Sequence, residues 1–269
     1  MPNTSAIQSV AKNDKVKLFQ WNINDAKTLI PAYRGCDAIL MVPPIQNRLK
    51  VGCEYLRAAI SADVQYICCL GVQPINPNLI LERESRQLES QLLASGVKYS
   101  MLELPIFLEN LLYQANLVYN HNYFAYPCRS DAAFSYLTCH DLGEVVAENL
   151  MSEHVLTKAV WTSASMTTFD EICSSVSYLL GHEINFRQVS TAQFINSLKL
   201  DGFTEYYATG ITQLWRAVDA GFDIRPNKDF TYILGRPTMT VEYWLEQHIS
   251  AFKQQPSVFP MSPHYTMGL

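Results

Sequence analysis

The sequence predicts an α/β protein, a parallel sheet with crossover helices followed by a smaller C-terminal α+β region. Three observations carry that expectation. Continuous apolar runs alternate with helical periods through the first half, at a spacing that suits strand–helix–strand units. The runs Asp37–Val42 (DAILMV) and Val64–Leu70 (VQYICCL) lack in/out alternation, as strands covered on both faces do. The chain also has 269 residues, 48% of them hydrophobic, enough to bury a sizeable core.

The elements follow in order. Lys15 to Trp21 reads as a short strand, and Asn24-Asp25 opens a helix through Tyr33 that stops at Gly35. Asp37–Val42 is the next strand, ended by Pro43-Pro44. Lys50–Ser61 is helical, Val64–Leu70 is a strand, and Arg83–Ser95 is a charged amphipathic helix closed by Gly96. Lys98–Leu102 is again strand-like and halts before Pro105. Right-handed crossovers then make the sheet parallel. Further on, Ala133–Thr138 reads as a strand and Asp141–Met151 as an amphipathic helix. Ala159–Thr162 is a strand, Thr168 opens a helix to about Leu180, and Glu183–Val189 is a strand. Ser190 to Ala220 is helical and aromatic, and Thr240–Phe252 is a last helix after the turn Gly235-Arg236-Pro237. The expected division is residues 1–150 for the sheet domain, 151–253 for the C-terminal region and 254–269 for an irregular tail.

Composition excludes several function classes. Net charge is −5 with no basic block, which argues against nucleic acid as a partner. Charged residues make up 17% of the chain, below the roughly 25% usual for soluble domains. Even so, no apolar run approaches the roughly 20 residues of a membrane span. The polar first thirty residues do not resemble a signal peptide. Seven cysteines with no CxxC read as buried apolar side chains in a reducing cytoplasm. No metal-ligand spacing such as HExxH occurs. His140-Asp141, the one His beside a carboxylate, reads as a helix-start Asp next to a partly exposed His.

Glycine and tyrosine spacing exclude more. The closest of the eleven glycines, Gly202 and Gly210, are eight positions apart. No GxxG, GxG or GxSxG therefore exists, and with it no phosphate loop, dinucleotide fingerprint or hydrolase elbow. A Tyr with Lys four residues on could protonate a carbonyl oxygen, because the ammonium lowers the phenol pKa. None of the fifteen tyrosines has that partner.

Gly35–Pro44 (GCDAILMVPP) and Leu56–Gly71 (LRAAISADVQYICCLG) resemble the NmrA-like family, a branch of the atypical short-chain dehydrogenases/reductases. Arg86–Leu112 (RQLESQLLASGVKYSMLELPIFLENLL) is similar to the family's E-x-x-L-x-x-S-G and P-x-x-F-x-E-N segment. Phe134–Ala147, with Asp141 at a helix start, and the G-R-x-P before a Trp-bearing helix follow in the family's order.

The resemblance implies a Rossmann-like parallel sheet, NADP as cofactor, and a C-terminal region that covers the substrate. By it Lys15–Asp25 matches the family's third strand. The β-α-β unit with the glycine-rich turn is then missing, and the fold is expected to be N-terminally truncated, since that unit takes about forty to fifty residues. Val42, Pro43 and Pro44 would flank the adenine, and Leu70 and Gly71 the nicotinamide ribose. Pro105, Phe107 and Asn110 would approach the nicotinamide and substrate. The position where several members carry a cofactor-ribose Lys is Ser85, next to Arg86.

Of the C-terminal aromatics (Phe194, Phe203, Tyr206, Tyr207 and Trp215), Phe203, Tyr207 and Trp215 are expected to wall a substrate pocket, and Tyr206 is the candidate proton donor. The resemblance thus implies an NAD(P)-dependent oxidoreductase-family protein acting on a small, largely apolar, secondary-metabolite-like substrate through a degenerate dinucleotide site. Two alternatives stand beside it: a non-catalytic, NADP- or redox-sensing regulator with a protein partner, and a redox-neutral cyclase or isomerase. A cytoplasmic protein is expected, and its oligomeric state is left open.

Overall fold

A computed structural model describes residues 12–22, 25–151, 159–161, 165–222 and 229–253. The expected tail from Gln254 lies outside them. The first helix, α1 (Ile30–Tyr33), follows a 3-10 turn at Ala26–Thr28, so the expected single helix is broken in two. Then come β1 (Ala38–Met41), α2 (Arg48–Ser61), β2 (Tyr66–Val72), α3 (Ile80–Ser95) and β3 (Lys98–Leu104). The short strand β4 (Ile106–Phe107) leads through a 3-10 turn, Leu108–Gln114, into α4 (Ala115–His121). After β5 (Tyr123–Tyr126) and β6 (Phe134–Leu137) come α5 (Cys139–Met151), β7 (Ala159–Trp161), β8 (Ser165–Thr167) and α6 (Phe169–Leu180). The chain continues as β9 (Asn185–Gln188), α7 (Thr191–Leu200), α8 (Glu205–Asp219), α9 (Asp229–Leu234), α10 (Val241–His248) and α11 (Ser250–Lys253).

The main sheet runs β1-β2-β3-β7, every pair parallel. Period-two alternation sends β2 side chains to both faces. Ile67 and Cys69 join Ile39, Met41 and Met101 beneath α2 and α3. Tyr66, Cys68 and Leu70 join Leu102 and Leu104 beneath α5, against Leu142, Val145 and Val146. All seven β2 residues are buried, as its unbroken apolar run requires. A polar triangle pins α5 to that face. Tyr66 Oη donates to Asn149 Oδ1 (3.0 Å) and accepts from Ser100 Oγ (2.8 Å), and Asn149 Nδ2 donates to Ser100 Oγ. Each such bond contributes on the order of 1 kcal/mol, and an unpaired member would cost more.

Two of the expectations fail here. Among the described residues Lys15–Trp21 joins no ladder and only an isolated bridge between Asn22 and Asp25 forms nearby; Leu18 and Phe19 stay 57% and 48% exposed. Strand-forming residues do not make a strand without a neighbouring edge to pair with. In β1 the expectation of burial on both faces also fails, with Leu40 39% exposed. Only β2 pairs with β1 among the described residues, which leaves β1 at a sheet edge.

Strands β4-β6-β8 form one small sheet and β5-β9 another. Their core is aromatic: Tyr126 stacks on Phe169 at 4.6 Å, and Phe134 meets Trp215 edge-on at 5.3 Å. α6 starts in a full capping box, with Thr168 and Glu171 bonding each other's backbone N–H groups. The expected single helical stretch after Ser190 is two helices, broken at Gly202 with φ +95°.

Asp141 and the Gly235-Arg236-Pro237 turn are partners. Asp141, 1% exposed, accepts from Arg236 Nη2 and from the Met239 N–H, both at 2.8 Å. Arg236 also pairs with Glu144. His140 is exposed beside Glu144, so the pair His140-Asp141 is a structural helix start, as read from the sequence. All seven cysteines are free thiols, and burial pushes those of Cys69, Cys128, Cys139 and Cys173 up to about 12. Among the described residues no helix is long and apolar enough to cross a membrane, and no three His, Cys, Asp or Glu side chains group as metal ligands.

α2 and α3 touch through Gly52, where an added Cβ would lie 2.6 Å from Leu88 Cδ2. Leu88 is fully buried, and the end of its side chain must shift to admit that atom. Gly52→Val is therefore expected to destabilise the protein by about 1–3 kcal/mol through overpacking, read as a lower urea midpoint at unchanged slope.

Candidate functional site

The parallel strands end on one side of the main sheet, and a narrow cleft opens between that side and the C-terminal helices. Ile45, in the loop after β1, and Asn110 and Tyr113, in the 3-10 turn after β4, form one wall. Phe203, Ile211 and Trp215 form the wall opposite. Helical spacing explains α8's share: Ile211 and Trp215, four apart, look into the cleft, while Leu214 and Val218 face a smaller cavity at the ends of β2 and β3.

The cleft is mainly apolar, with few polar groups. The Asn110 side-chain amide nitrogen is buried with no hydrogen-bond partner. Burial raises the Tyr113 phenol pKa, so the phenol stays protonated and can donate a hydrogen bond. Asp201, at the C-terminal end of α7, also lines the cleft, and burial raises its carboxyl pKa.

Phe203, Trp215 and Asn110 thus come together in one cavity. Tyr207 does not join them. It turns to α3, where its hydroxyl donates to the buried Glu84 carboxylate at 3.2 Å. Burial, then Glu84, raises the Tyr207 pKa. Tyr206 lies on the surface, its hydroxyl accepting from Arg83 Nη2 at 3.3 Å, and it does not line the cleft. Phe107 is 1% exposed and packed in the core under α5. Pro105 borders the smaller cavity, where the buried amide of Gln73 finds no partner.

The cofactor positions expected at the strand ends are packed by the chain itself. Val42 is partly buried, and Pro43 and Pro44 are buried. Leu70 and Gly71 lie inside β2, where a Cβ on Gly71 would meet Met101 Cγ at 3.0 Å and Ser85 Oγ at 3.1 Å. Ser85 Oγ accepts from the Val72 N–H, and Glu82 accepts from the Ile75 and Asn76 N–H groups, which moors the loop after β2 to α3. Arg86 pairs with Glu82.

Sequence reasoning missed Arg48, Tyr113 and Asp201. Arg48 is a charged residue at the first turn of a helix, which normally faces water, and nothing local marks its burial. Tyr113 follows the P-x-x-F-x-E-N segment by three residues, and that proximity is the one signal that could have found it.

The sequence model of the NmrA-like family matches residues 2–228 of this chain. No curated protein matches it. Among solved structures, the NADPH-dependent quinone oxidoreductase QOR2 of Escherichia coli complexed with NADPH is 20% identical, with a TM-score of 0.78 over 91% of this chain and 88% of that one. The triphenylmethane reductase of Citrobacter sp. complexed with NADP(H) is 17% identical, with a TM-score of 0.74 over 91% and 87%. The negative transcriptional regulator NmrA in complex with NAD is 13% identical, with a TM-score of 0.67 over 95% and 84%. At these identities the likeness establishes the shared Rossmann-like fold.

Tyr207→Phe removes the hydroxyl that serves the buried Glu84 and is expected to cost about 1–3 kcal/mol in chemical denaturation. For Asp201, the folded chain holds the proton to higher pH than the unfolded chain does. Its stability contribution is therefore lost as pH rises through the raised value. Asp201→Asn is expected to match the parent at about pH 3 and to exceed it at neutral pH, measured by thermal melts across pH.

Proposed function

Because the chain belongs to the NmrA-like family, we propose that it is an oxidoreductase-fold protein that holds a small, flat, largely apolar molecule in the aromatic cleft. The observation that carries this is the cleft itself, with Phe203 and Trp215 on one side and the unpartnered Asn110 amide nitrogen on the other. The aromatic wall provides stacking area, and Asn110 and Tyr113 donate to a carbonyl or similar acceptor on the ligand's edge. A quinone, the molecule in the name of one structural relative, is of this shape.

NADP is the cofactor the family implies, and in an oxidoreductase it would supply the hydride. Val42, Pro43, Pro44, Leu70, Gly71, Pro105, Phe107 and Asn110 are the positions proposed to flank it. The residues present do not fit an intact dinucleotide. Pro43, Pro44 and Gly71 are covered by the chain's own side chains, and Phe107 is sealed in the core. Tyr206, the proposed proton donor, would have to leave Arg83 and enter the cleft to act. These packings favour the second reading, uptake of the molecule without turnover, as in a sensing or regulatory protein.

Ser197 lines the cleft, its hydroxyl bonded to the Phe194 carbonyl of the same helix. Menadione, a flat neutral naphthoquinone, is expected to quench tryptophan fluorescence saturably. Ser197→Phe fills the cleft and is expected to weaken that binding at least about tenfold at an unchanged melting temperature. Absence of saturable quenching in the parent protein, or equal affinity in the variant, would remove this reading.

A further inference from the structure

We infer that Arg48 occupies the crevice at the ends of β1 and β2 as an internal stand-in for a ligand, and that the protein takes up its cleft ligand without NAD(P). The second half rests on the cleft reading above; the first stands on the packing alone. In an open parallel sheet a dinucleotide lies along the carboxyl ends of the strands, where free backbone groups meet its hydroxyls and phosphates. Here Arg48 Nη1 donates to the Pro43 carbonyl at 3.3 Å, and Nη2 donates to the Leu70 carbonyl. One guanidinium thereby joins the loop just after β1 to the Leu70 carbonyl, two residues before the end of β2, and uses an acceptor from each. Its side chain is 1% exposed, so it fills the gap between the two segments.

The filling is held from the far side. Gln46 Oε1 accepts from the Thr204 N–H at 2.9 Å, which ties the loop after β1 to the start of α8. Tyr207, one turn further along α8, bonds Glu84, the carboxylate whose field acts on Arg48. Ile45, in the same loop, is fully buried and forms part of the cleft wall. A dinucleotide would have to expel a buried cation, free two carbonyls and detach α8 from the loop. Detaching α8 would also dismantle the wall that carries Ile211 and Trp215. The same helix closes the crevice and builds the cleft, so the geometry serves the cleft at the crevice's expense.

The test uses the unmodified protein and two probes, NADPH and menadione. Energy transfer from tryptophan to NADPH, with calorimetry in parallel, is expected to show no saturable binding up to about 1 mM. The menadione dissociation constant is expected to be the same with and without about 1 mM NADPH. Saturable NADPH binding within that range, or a menadione affinity shifted at least about threefold by NADPH, overturns the inference. Loss of menadione binding with NADPH still silent would overturn the cleft reading and the ligand half of the inference, leaving the filled crevice standing. The two failures are therefore distinguishable.

Discussion

The burial of β2 on both faces is the constraint from which the rest of the structure follows. A strand with no water-facing side must be covered twice, and its backbone must be paired on both edges. β1 and β3 supply the edges, α2 and α3 cover one face, and α5 covers the other. The helices can reach their places because parallel strands require long crossovers, which return the chain to the same edge each time. Polar groups enter this core where they are paired, as in the Tyr66–Ser100–Asn149 triangle.

α8 transmits that order to the cleft. It lies on α3 through Gly210, whose missing Cβ permits approach to Ile80 and Leu81. Gln213 on α8 accepts from the Ile80 N–H, replacing a cap that Leu79 cannot provide at the start of α3. Tyr207 adds the bond to Glu84. With these contacts made, the remaining face of α8 must turn Ile211 and Trp215 toward the cleft. The position of the aromatic wall is thus a consequence of how α8 seats on the sheet domain.

Much of this was legible in the residues. The apolar run Val64–Leu70 announced a doubly covered strand because burial on two faces leaves no alternation, and β2 is that strand. Gly35 and Gly96 mark helix ends because both take a positive φ that other residues avoid. Phe203, Trp215 and Asn110 were read as site residues, and all three line the cleft. Lys15–Trp21 was misread as a strand because its residues suit a sheet, and pairing is a property of neighbours. Tyr206 and Tyr207 are adjacent on one helix, so about 100° of rotation sends one to water and the other to Glu84. No local pattern shows which way that rotation falls.

The sequence by itself determined the alternation of strand and helix from Asp37 to Leu104, the parallel sheet and the lack of glycine-spaced phosphate loops. These follow from periodicity, turn residues and spacing, which act over a few neighbouring residues. Tertiary structure alone decided that Asp141 would meet Arg236, 95 positions away, and that Arg48 would be buried between two strand ends. It also decided that Tyr207 would serve α3 while Trp215 walls the cleft. The physical reason is the same in each case. A charged or hydroxyl-bearing side chain takes its role from the partner that desolvates and bonds it, and here the partners come from distant segments that the packing of α8 and α5 brings together.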